Sequence, residues 1–234
     1  MLEDIVSQGL EELNIRCNIE AIARLKTYCD ELEERNKVMN LTAITGEDEI
    51  AKLHFLDCAA LLGMADFSGK KVLDVGSGAG FPGLVLKILQ PDIELCLLDS
   101  LEKRITFLTE LCHKLKLDDV KCVHMRAEEA PPAYRQNFDI VVSRAVARLG
   151  LLSELCLPFV KKGGLFIAMK GPAGSEELEE AMKGIKLLGG EYVETVQYDV
   201  PGTDKRHNAL IFKKVADTPM KYPRRWAQIK KQPL

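Results

Sequence analysis

Apolar side chains change their spacing near residue 70. Before it they recur at intervals of three and four: Ile19, Ile22, Leu25, Cys29 and Leu32 form a stripe running toward Met39, with Asp30, Glu31, Glu33, Glu34 and Arg35 mostly on the other faces. Ile50, Leu53, Leu56, Ala60 and Leu61 repeat the pattern between Glu49 and Leu62. This spacing predicts amphipathic helices over residues 1–66, too short for a coiled coil. Phe67-Ser68-Gly69-Lys70 breaks the pattern and predicts a boundary, with residues 1–68 a helical N-terminal extension. From residue 71, short apolar runs alternate with helical spacing. Strands are expected at 71–75, 93–98, 120–124, 138–142 and 164–169, with helices between them at about 83–90, 101–116, 127–134 and 148–156. A helix near 175–187 and two last strands around 191–199 and 207–213 complete the series. The alternation predicts an α/β domain over residues 69–214: a parallel sheet of seven strands ending in a hairpin, with helices on both faces.

The first strand runs into Asp74-Val75-Gly76-Ser77-Gly78-Ala79-Gly80-Phe81-Pro82-Gly83. Glycines at 76, 78 and 80 permit positive φ and close approach of the main chain to a ligand. Leu84, Val85, Ile88 and Leu89 then open a helix whose first amides point over the turn. Asp99 ends the second strand about 20 residues on, where a carboxylate can accept from both ribose hydroxyls. Two cofactors compete for such a site. From Gly78 the turn matches G-x-G-x-x-G, the dinucleotide fingerprint; from Asp74 it matches D-x-G-x-G-x-G, the motif of enzymes that use S-adenosylmethionine. An acidic group beside the turn is a poor neighbour for a pyrophosphate and a good one for an ammonium and a sulfonium, which favours adenosylmethionine. The competing role for Asp74 is to tie down the turn by accepting backbone N–H bonds. Seven strands with a terminal hairpin also match the Rossmann-like class I methyltransferase sheet and leave no room for a separate dehydrogenase catalytic domain.

Ligands bind at the carboxyl ends of such strands. Ala127 and Glu128 follow the third strand and are placed to meet the adenine edge, although Glu128 and Glu129 also suit the first turn of a helix. Arg144 follows Ile140-Val141-Val142 and is a candidate clamp for the cofactor carboxylate or a substrate phosphate. His54 and Asp57, three apart, face one side of a helix; two residues do not make a metal site, and docking that helix on the sheet is the expected role. No metal is expected.

Charge adds a partner. The net charge of −3 divides into −7 over residues 1–70 and +4 over the rest. After residue 212, Lys213, Lys214, Lys221, Arg224, Arg225, Lys230 and Lys231 face only Asp217. A basic tail, 215–234, beside a cofactor domain points to an anionic substrate such as nucleic acid, against the competing reading of a solvated tail. No apolar stretch reaches about 18 residues, and Met1-Leu2-Glu3-Asp4 is not the start of a secretory signal, so a cytoplasmic protein away from the membrane is expected. Seven cysteines without a C-x-x-C pair suit buried reduced thiols.

Several short elements together resemble one family. Asn40-Leu41-Thr42-Ala43-Ile44, His54-Phe55-Leu56-Asp57, Gly80-Phe81-Pro82-Gly83, Ala127-Glu128, Ser143-Arg144-Ala145 and Tyr222-Pro223-Arg224 with Pro233-Leu234 resemble the glucose-inhibited division protein B (RsmG) family, bacterial 16S ribosomal RNA guanine-N7 methyltransferases. The resemblance covers nearly the whole chain. It implies cofactor contacts at Gly76, Phe81, Ala127, Glu128 and Arg144, and the small-subunit RNA as partner. Near its end the family continues Pro-Arg-Lys-Ala-Gly-Thr-Pro, whereas this chain reads Pro223-Arg224-Arg225-Trp226-Ala227-Gln228-Ile229.

What is missing fits such chemistry. Guanine N7 carries a free lone pair, so its methylation needs neither general base nor nucleophile, and no catalytic residue is expected beyond those that position. The Asp/Asn-Pro-Pro-aromatic motif of exocyclic-amine enzymes is replaced by Ser143-Arg144-Ala145-Val146, and no cysteine has the context of a carbon-5 pyrimidine enzyme. The expected cofactor set is Asp74, Gly76, Gly78, Gly80, Phe81, Asp99, Ala127, Glu128 and Arg144. Arg224, Arg225, Lys230 and Lys231 are the expected phosphate contacts, with Trp226 a candidate to stack on an unpaired base and Lys103 and Arg104 a second basic edge. A monomer is expected. Remaining rivals are a methyltransferase for protein or small molecules, an NAD-dependent oxidoreductase, and a noncatalytic RNA-binding module.

Overall fold

The computed structural model describes residues 1–144, 147–171 and 176–234. Ala145 and Val146 of the Ser143-Arg144-Ala145-Val146 element and Ser175, at the expected start of a helix, lie outside the described residues. The chain opens with α1 (Leu2–Glu12) and α2 (Ile19–Met39), followed by α3 (Glu47–Ile50), which passes through a π-helical turn (Ala51–Leu56) into α4 (Asp57–Ala59). Seven strands follow: β1 (Lys71–Val75), β2 (Glu94–Asp99), β3 (Val120–His124), β4 (Phe138–Arg144), β5 (Val160–Lys170), β6 (Gly190–Asp199) and β7 (Arg206–Lys214). Their spatial order is β3-β2-β1-β4-β5-β7-β6, parallel through β5, with β7 antiparallel to both neighbours. The remaining helices are α5 (Gly83–Leu89), α6 (Glu102–Lys114), α7 (Leu149–Cys156), α8 (Glu176–Leu187) and α9 (Trp226–Lys231).

Strand alternation divides the core in two. Val72, Leu97, Ile140, Val142, Ile167 and Ile211 face one side, where α1, α2, α5 and α6 pack. Leu73, Leu98, Val141, Phe166 and Phe212 face the other, beneath α7, α8 and Ile229 of α9. The N-terminal helices thus share a core with the sheet. The buried face of α2 is Ala21, Leu25, Tyr28, Cys29 and Leu32; Ile19, counted in the apolar stripe, is 89% exposed. Nor do residues 127–134 form one helix. They make two 3₁₀ turns, Ala127–Glu129 and Pro132–Tyr134, because Pro131 and Pro132 have no N–H to continue a ladder.

The C-terminal segment is docked. Glu154 of α7, fully buried, accepts from the backbone N–H of Arg224 (2.8 Å) and from its Nε (2.9 Å) and Nη2 (2.6 Å). Leu234 packs against Gly150 and Gly184, where a Cβ would fall 2.8 Å from the Leu234 carbonyl oxygen and 2.6 Å from its Cβ respectively. The expectation of Arg224 as a phosphate contact therefore meets a guanidinium already spent on Glu154 and the Gln232 carbonyl. Removing one partner of a buried pair strands the other, so Arg224→Ala should cost about 3 kcal/mol. Urea unfolding should show that loss, and trypsin should cleave at Arg225, Lys230 and Lys231 faster than in the wild type.

Candidate functional site

The turn after β1 is held from three sides. Gly76 (φ 73°), Gly78 (φ 59°) and Gly80 (φ 106°) lie in the left-handed region, which only glycine enters at little cost. From below, Asp74 is fully buried and its Oδ2 accepts the Gly83 N–H at 2.9 Å. From the next strand, Asp99 accepts the Gly78 N–H through Oδ2 and the Leu101 N–H through Oδ1, both at 2.9 Å. From α2, the Tyr28 hydroxyl donates to the Ala79 carbonyl at 2.6 Å. A Cβ on Gly80 would lie 2.6 Å from that hydroxyl. Gly80 therefore serves the contact with α2.

Above the turn lies a cavity of about 390 Å³ crossing the carboxyl ends of β3, β2, β1 and β4, within the range of small-molecule sites. Of the expected cofactor residues, Gly76, Gly78 and Phe81 form its floor, and Asp99, Ala127, Glu128 and Arg144 its sides. Asp74 and Gly80 do not line it; they act on the turn from beneath, and Asp74 takes the role of tying down the turn. Over Gly78 the space is open, since a Cβ there would meet only the Gly76 carbonyl oxygen at 3.9 Å. At the β3 end, Glu128 Oε1 is buried and, among the described residues, has no hydrogen-bond donor, with Arg126 Nη1 paired at 3.6 Å. A buried carboxylate oxygen that lines the cavity without a close protein donor is placed to accept an N–H from a ligand. The open backbone cradle, the Asp99 carboxylate and this unsatisfied acceptor suit a nucleoside.

Arg144 organises the other end. Its Nη1 donates to the Leu53 carbonyl and to Asp57 Oδ2, both at 3.2 Å, and its Nη2 to His54 Nδ1 at 2.8 Å. Since a guanidinium can only donate, Nδ1 of His54 is unprotonated and Nε2 donates to the Thr42 hydroxyl at 2.8 Å. Burial, then the Arg144 charge, push the His54 pKa down to about 3. Burial alone would raise the Asp57 pKa, but the His207 hydrogen bond and Arg144, with Tyr198 donating to Oδ1 at 2.8 Å, hold it below the ordinary carboxylate value. Phe81 stacks between His54 (4.2 Å) and Tyr28 (5.3 Å), with the Arg144 guanidinium 4.8 Å from its centre. Arg144 and His54 also line a second cavity of about 390 Å³, together with Lys170, Tyr198, Lys205 and His207.

Several contributors were not assigned to the cavity by sequence. Leu41, Thr42 and His54 reach it from the helical region, Arg104 lines it while pairing with Asp99 at 3.3 Å, and Trp226 reaches it from α9. Asn40 marks the first group: at φ 50° it ends α2, and Asn36 then binds both the N–H and the carbonyl of Thr42 at 2.9 Å. Arg225, Lys230 and Lys231 are exposed. Among the described residues there is no cluster able to hold a metal, no disulfide, and no helix long and apolar enough to cross a membrane.

Two consequences can be measured. Gly80→Ala, at positive φ and against Tyr28, should lose roughly 1–3 kcal/mol in urea unfolding. Titration offers the second. Burial raises the Asp74 pKa to about 7 against the Gly83 amide and Arg144. The folded state then holds a proton that the unfolded chain has released, a contribution complete below the ordinary carboxylate value and lost as pH rises to about 7. His54 acts oppositely: the unfolded chain takes up a proton near pH 6.5 that the folded state refuses until about 3. In Asp74→Asn only the second remains, so stability should drop more steeply than in wild type as pH falls from 7 to 4. Parallel pH profiles would show that Asp74 is ionised in the fold.

Comparison with known proteins closes the identification. The sheet is similar to that of a SAM dependent methyltransferase from Aquifex aeolicus (TM-score 0.54, 18% identity, 81% of this chain and 98% of that one). It is also similar to M. jannaschii TYW2 in complex with AdoMet (TM-score 0.52, 13% identity, 65% and 72%). Both likenesses concern the fold alone. In sequence the chain is 49% identical to Ribosomal RNA small subunit methyltransferase G of Alkaliphilus oremlandii (strain OhILAs), over 100% of this chain and 99% of that protein. It is 46% identical to the protein of the same name from Clostridium botulinum (strain ATCC 19397 / Type A), over 99% and 98%. The family model described as GidB, rRNA small subunit methyltransferase G, matches residues 21–207, and with relatives this similar along its whole length the chain belongs to that family.

Proposed function

We propose that the cavity binds S-adenosylmethionine and that the protein methylates N7 of a guanine in the 16S RNA of the small ribosomal subunit, in the cytoplasm. The observation that carries the cofactor reading is the pairing, in one cavity, of Asp99 at the end of β2 with the unsatisfied Glu128 Oε1 at the end of β3. Asp99 is the ribose ligand and Glu128 the acceptor for the adenine amine; the glycine turn and Arg144 face the methionine portion. Bound adenosylmethionine would supply an electrophilic methyl carbon on a sulfonium, which a guanine N7 lone pair can attack as the carbon–sulfur bond breaks and the sulfur leaves as a neutral thioether.

The protein's share is positioning. Among the described residues, no cysteine lines the cavity. His54 is neutral, with both nitrogens engaged, and Asp57 is held by Arg144, Tyr198 and His207. Neither is free to accept a proton from substrate. These groups fix Arg144 and Phe81 at the cavity, so acceleration comes from orientation. Phosphate contacts fall to Arg225, Lys230 and Lys231, which are exposed beside the docked tail.

Asp99→Asn should weaken adenosylmethionine binding on the order of tenfold to a hundredfold, the worth of a charge-assisted hydrogen bond. Calorimetry on the folded variant reads this, and an unchanged affinity removes Asp99 from the ribose. Arg225→Ala/Lys230→Ala/Lys231→Ala should bind RNA with a salt slope shallower by roughly 0.7 for each phosphate that is no longer neutralised, while cofactor affinity stays as in wild type. Label from adenosylmethionine should appear in small-subunit RNA as 7-methylguanine when pools of RNA and protein are offered together. Label confined to protein would overturn the RNA assignment.

A further inference from the structure

The C-terminal segment borders the cavity as well as being basic. Trp226, the first residue of α9, lines the same cavity as Asp99, Ala127 and Glu128 and is 36% exposed. Its neighbours are fixed: Tyr222 and Ile229 are buried, and Arg224 is clamped on Glu154 of α7. Helix α7 packs against both α9 and the Ala127–Glu129 turn, and its Leu155 lines the cavity. A large aromatic ring left partly open on so firmly held a segment faces a space that something flat can fill.

Which part of a ligand lies there follows from the strand order. The cavity crosses β3, β2, β1 and β4 in that sequence. With the ribose on Asp99 of β2, one end of the nucleoside points toward the glycine turn and Arg144, where charged groups gather. The other points beyond β3, toward Met125, Ala127, Leu155 and the unsatisfied Glu128 oxygen. Apart from Arg126, which pairs with Glu128 at 3.6 Å, that second end is apolar with one open acceptor, which is what a purine carrying an exocyclic amine requires. We infer that the Trp226 indole packs on the adenine of the bound nucleoside, making the C-terminal segment a wall of the cofactor site. This rests on the cofactor reading above, and it reassigns a side chain that the sequence placed with the RNA.

The chain contains one tryptophan, so indole emission reports on this position alone. S-adenosylhomocysteine, adenosine and methionine would each be titrated into the full-length protein, with calorimetry in parallel. Emission should change saturably with the first two and stay constant with methionine. W226A should raise the calorimetric Kd for S-adenosylhomocysteine roughly five- to thirtyfold, the scale of base stacking on an aromatic ring. W226F should recover most of the loss and covers the case in which W226A fails to fold, which circular dichroism would show. Wild-type Kd in both folded variants, or constant emission while calorimetry records binding, would overturn the inference and leave the cofactor reading standing. Absence of calorimetric binding to the wild-type protein would overturn the cofactor reading itself, and this inference with it. Loss of RNA affinity in W226A at unchanged cofactor affinity would return the indole to the RNA.

Discussion

The guanidinium of Arg144 is the interaction on which the rest of the site depends. It stands at the end of β4, and its acceptors, the Leu53 carbonyl, His54 and Asp57, all belong to the helical run before the sheet. Two parts of the chain about ninety residues apart are thereby fixed against each other. A charge so placed is costly to bury and more costly to leave unpaired, which favours the arrangement that brings these acceptors to it. The π-helical turn over Ala51–Leu56 helps to provide it, presenting the Leu53 carbonyl and the His54 ring to one cation. Phe81 is then held between His54 and Tyr28, and Tyr28 fixes the Ala79 carbonyl. Through these contacts the helical region sets the shape of a turn it does not contain.

The two aspartates of the turn show how position separates roles that composition cannot. Asp74 and Asp99 both accept a backbone N–H from the same loop. Asp74 does so from inside the protein, where burial disfavours its charge; Asp99 does so from the cavity side, with Arg104 beside it. Their division into scaffold and cavity-lining group reflects depth and charge partner.

Fold and site are legible in the sequence to different degrees. Strand periodicity places the seven described strands, the parallel ones because buried parallel strands read as apolar runs bounded by turns, and the structure has the expected class I methyltransferase sheet with its terminal hairpin. The short turns at Ala127–Glu129 and Pro132–Tyr134 resemble a helix in sequence because acidic residues favour a first helical turn whether or not a second follows. For the cavity, the residues just past strand ends can be found by rule: Gly76, Gly78, Asp99, Ala127, Glu128 and Arg144. Leu41, Thr42, His54 and Trp226 cannot, because they reach the cavity through tertiary packing of distant segments. Arg224 misleads in the opposite sense: a cation in a basic stretch reads as a phosphate contact, and only the fold reveals the buried carboxylate of Glu154 opposite it. The Asn-Leu-Thr element now has a physical account, in which Asn40 turns the chain and the Thr42 hydroxyl accepts the hydrogen bond from His54 Nε2.

Because the cavity is walled by residues from Leu41 to Trp226, its completion is tied to the direction of protein synthesis. Domains fold as the chain emerges, N-terminal parts first. The glycine turn and the helices that brace it can assemble early, but the last side of the cavity is encoded after all seven strands of the sheet. While Trp226 is still enclosed in the ribosome's exit tunnel, the strands that carry Asp99 and Arg144 are already outside and free to pair. The cavity is therefore complete only once α9 has docked on α7 and brought Trp226 to a side that the sheet alone does not supply.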